Sequence, residues 1–457
     1  MITRRGFLQA AGASLAGLLA GCEMEGDTAV TNERVLIIGA GMAGLAAGQT
    51  LRQAGYAVTL LEARDRLGGR VWTDRAWPDV PLDMGASWIH GVDGNPITAL
   101  AEQFGAATKR TDYDSVTVFD ANGSRLSGRE LAELDEYAEE LYAVLAQAQA
   151  ERDRDVSLQT VIDQAAAAEA LSQEEMLRLN YVVNATIEQE YAADSAELSL
   201  FEFDQDEAFP GEDVLFPGGY DQIVNGLAQG LDARTLHVVE KVEYGDTAVN
   251  VQTNQGEFTA ERAIVTVPLG VLQKRRIQFD PALPAQKTAA INSLGMGLLH
   301  KTYLRFPEPF WDKRKHFIER IPVKKGVWGE FLNMYRYIQE PVLVGFNAGS
   351  YGRYLETLGD EEIVAGAMAA LRGMYGHDIP DPEAWRISRW GLDPYSYGSY
   401  SFMPVGVTGE AYDWLAEPVN GRLFFAGEAT HRTYPATVHG AFLSGRRAAR
   451  QIAALAD

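Results

Sequence analysis

Hydrophobic positions beyond residue 33 switch between two periodicities. Residues 35–38 form a short apolar run, followed by Gly39-Ala40-Gly41-Met42-Ala43-Gly44; Leu45 and Leu51 then recur at helical spacing, and a second apolar run at 58–61 ends on Glu62. The pattern predicts a buried strand, a helix and a second strand, the opening unit of an α/β sheet. Residues 130–179 are rich in alanine and glutamate at helical spacing, without an internal repeat, and predict a helical insertion. Strand alternation returns over 235–269, where glycine- and asparagine-bearing turns separate the runs. The stretch GMGLLHKTYLRF (295–306) also reads as a strand, with Lys301 at its middle. Alternation of faces would let Lys301, Tyr303 and Arg305 share a solvated side, and burial of the lysine is the competing reading. The chain closes on a buried strand at 423–426, a loop, and a helix from near Thr437 in which Gly440 and Gly445 permit close packing.

The first unit carries chemistry. Gly39-x-Gly41-x-x-Gly44 sits between strand and helix, and Glu62 ends the second strand. Glycines there allow a tight turn, close approach of a pyrophosphate and helix–strand packing; the helix N-terminus attracts phosphate, and the acid can bond a ribose. A dinucleotide is therefore expected.

Composition narrows the rest. With 457 residues, 46% hydrophobic and 23% charged, the chain is long enough for two or more domains. A net charge of -23 without a basic block argues against a nucleic-acid partner and would draw cationic ligands to a focused cleft. Cys22 is the sole cysteine, so no internal disulfide or thiolate metal cluster can form, and the seven histidines lack the spacing of a metal site. Its setting, MITRRGFLQAAGASLAGLLAGC, reads as a twin-arginine export signal ending in a lipoprotein box. The apolar run is too short to span a bilayer. Residues 1–22 are thus expected to direct export, with a lipid anchor at Cys22 on the periplasmic or cell-surface side, and residues 23–32 to form a polar tether.

Further motifs carry a family resemblance over nearly everything after residue 33. LLEARDRLGGR, DMGASWIHGVDGNP (83–96), FPGGY (216–220), the lysine strand, WGLDPYSYGSYSFMPVG (390–406) and FAGEATHRTYPATVHGAFLSG resemble the flavin-containing amine oxidases. Within that family they resemble the polyamine oxidases and lysine-specific histone demethylases more than the monoamine oxidases. The resemblance implies FAD and a two-domain α/β fold: a Rossmann-like FAD domain (33–92, 212–285, 388–457) and a mixed-sheet substrate domain with a helical insertion (93–211, 286–387). Gly39, Gly41 and Gly44 would face the pyrophosphate, Glu62 the ribose, Arg70 the phosphates, the Val242 backbone the adenine, and Glu428 the ribityl region. Arg64, Gly69 and Gly427 complete the cofactor set. Thr437 and Val438 would start a helix whose positive end points at the flavin pyrimidine.

Lys301 matches the lysine that bonds flavin N5 through a water. Tyr400 and Thr437 match the pair flanking the amine; a threonine at the second place departs from monoamine oxidases. Trp390 would line the same face, and His90 would lie near the amine. Glu202, Asp204, Asp206 and Glu207 would lie at the cleft mouth, as substrate-steering carboxylates or as a solvated loop. No cysteine follows Cys22, so a thioether-linked flavin cannot form and FAD should be non-covalent. The activity implied is oxidation of spermine, spermidine or acetylated forms by hydride transfer to flavin N5, with oxygen as acceptor, giving aminoaldehyde, amine and hydrogen peroxide. Oxidation of a monoamine or an L-amino acid is the alternative, and a non-catalytic FAD-bound lipoprotein the second.

Overall fold

Strand Arg34–Ile38 lies at the centre of a five-stranded parallel sheet, between Arg262–Val265 and Ala57–Leu61. Leu423–Phe425 and Asp232–Arg234 form its edges. The computed structural model describes residues 33–455; the twin arginines, Cys22 and the tether lie outside them. The central strand is apolar on both faces because both are covered. Val35 and Ile37 pack against helices Met42–Gln53 and Val438–Ala453, while Leu36 and Ile38 pack against Val242, Val249 and Val251 of a second, four-stranded sheet. Such double cover is what makes a parallel strand read as a continuous hydrophobic run. The two helices touch closely at Gly445, where a Cβ would stand 2.1 Å from the Ala43 carbonyl oxygen.

A six-stranded sheet forms the second body, in the order Ala384–Ile387, Leu299–Arg305, Val342–Ala348, Glu330–Asn333, Phe317–Arg320, Val116–Phe119. Helix Asp360–Tyr375 and residues of Gly349–Glu356 cover one face through Leu304, Leu343, Phe331, Leu355 and Ile363. Residues 77–84 pack on the other against Tyr303, Phe317 and Phe346. The lysine strand is therefore closed on both faces, and Lys301 is 4% exposed. The solvated-face reading of Lys301 and Tyr303 fails for that reason; only Arg305 stays half-buried.

Helices Gly128–Glu151, Leu158–Glu169 and Gln173–Val183 share a separate apolar core. Ser127 and Ser172 start the first and third with capping boxes, each satisfying helix-end N–H groups. Among the described residues no helix is long and apolar enough to cross a membrane.

Candidate active site

One cavity runs from the first glycine turn to the lysine strand. Gly39, with φ +105°, makes the turn, and Gly41 caps the helix without a side-chain hydrogen bond, leaving the first N–H groups directed at the cavity. A Cβ at Gly41 would find its nearest protein atom 3.8 Å away, so the missing side chain leaves room on the cavity side. Gly44 differs. Its Cβ would stand 2.0 Å from the Gly39 carbonyl oxygen, and it does not line the cavity. Its role is turn-to-helix packing, which corrects the expectation that it faces the pyrophosphate.

Glu62 is buried and shapes the turn: its oxygens accept from the Ala40 N–H at 2.8 Å and the Arg64 N–H at 2.9 Å. Arg64 pairs with Asp393 at 2.8 Å and lies over the Tyr395 ring. Gly69, with φ +60°, packs against Gly41. Arg70 donates to Glu428 at 2.8 Å and to the Ser399 carbonyl at 2.9 Å. Glu428 also accepts from Ser401 Oγ at 2.6 Å and the Ala436 N–H at 3.0 Å. Gly427 precedes it with φ +139°. Thr437 caps the C-terminal helix, its Oγ accepting from the Gly440 N–H at 2.9 Å, and Val438 begins that helix. Of the expected cofactor residues described so far, all but Gly44 line the cavity.

Val242 does not. It is fully buried between its two strand partners and packs into the core between the sheets, while His237 and Val239 take the cavity wall instead.

At the far end Lys301 is held by three oxygens: the Asp83 carbonyl at 3.0 Å, the Gly85 carbonyl at 2.5 Å and Ser87 Oγ at 2.6 Å. The Tyr303 hydroxyl also donates to the Asp83 carbonyl at 2.7 Å, and Trp390 Nε1 donates to the Met84 carbonyl at 2.8 Å. One segment, 83–87, is thus gathered by three side chains. Burial pulls the Lys301 ammonium below its ordinary pKa, against the opposing charge of Asp83. Burial pushes the Asp83 carboxyl up, against hydrogen bonds from Thr73 and the Tyr220 N–H and the charge of Lys301.

Tyr400 lines the cavity, its hydroxyl donating to the Gln189 carbonyl at 3.1 Å. Burial pushes that hydroxyl's pKa up, so it stays neutral. His90 Nδ1 lies 2.7 Å from Asp213, and its ring stacks on Trp88. Asp206 and Glu207 line the cavity; Asp204 does not, and accepts from Gln149 Nε2 at 3.1 Å. Glu202 is turned to the Gly409 N–H at 3.0 Å.

The structure adds residues that the sequence pattern left unassigned. Asp83 and Ser87 lay inside a quoted motif, DMGASWIHG, without roles. Glu190 and Glu330 also line the cavity. Glu330 is paired across strands with Phe346, which is paired with Lys301, so the three form one row on neighbouring strands. Segments this far apart in sequence give no periodic signal of such a row.

A family model described as flavin-containing amine oxidoreductase matches residues 42–453. The chain belongs to that family. Relatives of this amine oxidoreductase include human lysine-specific histone demethylase 2, 35% identical over 93% of the chain, and polyamine oxidase 2 of Arabidopsis thaliana, 35% identical over 94%. The chain spans about half of the demethylase (54%) and most of the polyamine oxidase (90%). A putrescine oxidase solved with putrescine bound shares the fold, with TM-score 0.75 and 23% identity over 93% of this chain and 99% of that one.

FAD is the cofactor, and the residues present fit it: a glycine cradle and uncapped helix end for the pyrophosphate, Glu62 for a ribose hydroxyl, and the start of the C-terminal helix on the wall of the cavity that Lys301 also lines. The sole cysteine, Cys22, precedes the family match, so this amine oxidoreductase holds FAD non-covalently.

Proposed function

We propose that this FAD-dependent amine oxidase acts on polyamines, with oxygen as the final acceptor. One observation carries the reading. The cavity that buried Lys301 lines also bears Glu190, Asp206, Glu207, Asp213 and Glu330, whereas Arg64 and Arg70 lie among the cofactor residues and are engaged with Asp393 and Glu428. Carboxylates in a low-dielectric cleft attract and orient a polycation. The cations that line the cavity, Lys301, Arg64 and Arg70, are each engaged with protein oxygens, which disfavours an amino acid whose carboxylate needs one of them.

When bound, FAD would supply the hydride acceptor for the carbon next to the amine nitrogen. The chain's own groups bind and orient the amine: Tyr400 flanks it, Trp390 and Lys301 fix segment 83–87 beside it, and burial favours the uncharged amine that can react. Lys301 can hold or release a proton because Ser87 Oγ can either accept from it or donate to it. The imine product would hydrolyse to aldehyde and a shorter amine, and oxygen as final acceptor would be reduced to hydrogen peroxide.

The test is anaerobic bleaching of the FAD-loaded protein by spermine, spermidine, putrescine, an acetylated polyamine, an aromatic monoamine and an amino acid. Long polyamines should half-saturate at concentrations at least about tenfold below the monoamine, with the advantage shrinking as salt screens the carboxylates. Equal response to the monoamine, or a faster response to the amino acid, overturns the polyamine assignment. No bleaching by any amine leaves an FAD protein without this activity.

Export and a lipid anchor at Cys22 are proposed from residues 1–22. Arg4→Lys with Arg5→Lys should leave the protein in the cytoplasmic fraction; unchanged fractionation rules the route out.

A further inference from the structure

An ion pair between a buried carboxylate and a half-buried lysine stands one residue behind the cavity wall. Glu188 ends a π-helical turn, Asn184–Glu188, that separates helix Gln173–Val183 from Gln189–Tyr191. Its carboxylate is 3% exposed. Lys325 Nζ lies 2.7 Å from Oε1, which also accepts from the Ser195 N–H at 3.0 Å and Ser195 Oγ at 2.8 Å; Asn184 Nδ2 donates to Oε2 at 3.0 Å. Lys325 comes from the connection between strands Phe317–Arg320 and Glu330–Asn333, and donates as well to Gln159 Oε1 at 2.8 Å. Burial alone would push the carboxyl up, yet Lys325 and these hydrogen bonds outweigh it and hold the group below its ordinary pKa. Glu188 is therefore ionised and matched in charge by Lys325.

The position of this pair matters more than its strength. Buried ion pairs are often no more stabilising than apolar residues of the same size, and their best use is to fix one arrangement among several. Here the arrangement is a π turn, a local widening that recurs at functional sites. The residues it delivers, Gln189, Glu190 and Tyr191, line the cavity. Gln189 offers its carbonyl to the Tyr400 hydroxyl, and Ala192, with φ +52°, offers its carbonyl to the Leu298 N–H at 2.8 Å, just before the lysine strand. Tyr400 is tied back through its own carbonyl to the Gly297 N–H at 2.8 Å.

We propose that Lys325 and Glu188 are positioning residues for amine oxidation: by pinning the π turn they fix the Gln189 carbonyl, and through it the Tyr400 ring that flanks the amine. The inference rests on the amine-binding role given to Tyr400 above. It predicts that the pair and the Tyr400 hydroxyl act as one unit.

The experiment uses full-length, FAD-loaded Lys325→Met, Lys325→Arg, Glu188→Gln, Tyr400→Phe and the Lys325→Met/Tyr400→Phe double variant, with whichever amine bleaches the wild type best. Lys325→Met should raise the half-saturating amine concentration about tenfold, and Lys325→Arg should recover to within about threefold of wild type. Adding Tyr400→Phe to Lys325→Met should cost less than about threefold more, because the two share one route. Amide exchange over residues 188–193 should quicken about tenfold in Lys325→Met, while strand Arg34–Ile38 stays protected. Glu188→Gln separates charge from hydrogen bonding: it keeps an acceptor toward Ser195 but loses the match to Lys325, and should resemble Lys325→Met.

A lower melting temperature with unchanged half-saturation shows a merely structural pair and overturns the proposal, as do fully additive effects of Lys325→Met and Tyr400→Phe. If no amine bleaches the wild type, the polyamine reading fails by itself and the exchange measurement decides: unchanged protection at 188–193 rejects the positioning role, and selective loss there supports it.

Discussion

FAD-loaded Lys301→Met should fold, stay yellow and turn over amine about 10²–10³-fold more slowly than wild type, within the range of about 10²–10⁴ that a positioned acid–base group supplies. The protein should survive the change because two costs oppose each other. Methionine leaves the Gly85 carbonyl without the lysine donor, while the Asp83 carbonyl keeps the Tyr303 hydroxyl at 2.7 Å. An unsatisfied buried acceptor costs about 1–3 kcal/mol. Against that, methionine removes an ammonium whose burial is itself unfavourable. Stopped-flow reduction and reoxidation would show which half-reaction carries the loss; wild-type rates in both would reduce Lys301 to a structural donor.

The same variant carries a pH signature. Because burial depresses the folded pKa of Lys301, the unfolded chain takes up a proton at a pH where the folded chain does not. Stability from this group therefore rises with pH between the folded and the ordinary lysine value, and Lys301→Met loses that rise. Asp83 does not confuse the measurement. Its carboxyl is raised from an acidic ordinary value, so its contribution changes in a lower pH window. Denaturant unfolding of both proteins across the alkaline range reads the difference.

What was legible in sequence were features set by local chemistry. The glycine turn, the strand into Glu62 and the Thr437 helix start each depend on a few adjacent residues, and each stands where the pattern places it. Alternation alone left Lys301 open between two faces, because no local signal reveals that residues 77–84 cover one face and helices the other. Val242 stands off the cavity for a reason that spacing could not show. A bulge after Val239 breaks the alternation of that strand and puts Val239 and Val242 in the same core between the sheets, so only the tertiary packing decides which of them borders the cavity. The acidic run divided likewise, with Asp206 and Glu207 turned to the cavity and Glu202 and Asp204 to other partners. Glu190 was hidden behind a π turn, which shifts helical phase by one residue and defeats a 3.6-residue reading. The Asp83 carbonyl could not be found at all from side-chain motifs, since the group that binds Lys301 is backbone.

Gly41→Val and Gly44→Val should both abolish bound flavin, but by different routes. At Gly41 the backbone has φ -78°, open to any residue, and an added Cβ meets no protein atom closer than 3.8 Å. Valine there fits the empty protein and occupies the space of the pyrophosphate, so the variant should purify folded, melt cooperatively and carry less than about one hundredth of the wild-type FAD affinity, for want of close backbone approach. At Gly44 an added Cβ would lie 2.0 Å from the Gly39 carbonyl oxygen and 3.1 Å from Thr266 Oγ1. That carbonyl belongs to the turn itself, and Thr266 Oγ1 donates to it at 3.0 Å, so neither can give way without unseating the helix from the central strand. Gly44→Val should therefore fail to yield soluble folded protein, or melt with a broad, early transition, whatever FAD is supplied. Absorbance of the purified proteins, followed by thermal unfolding with and without added FAD, separates the routes. A flavin-loaded Gly41→Val would mean that the cofactor phosphates lie elsewhere in the cavity; a folded but empty Gly44→Val would return Gly44 to the cofactor-facing role that its packing denies it.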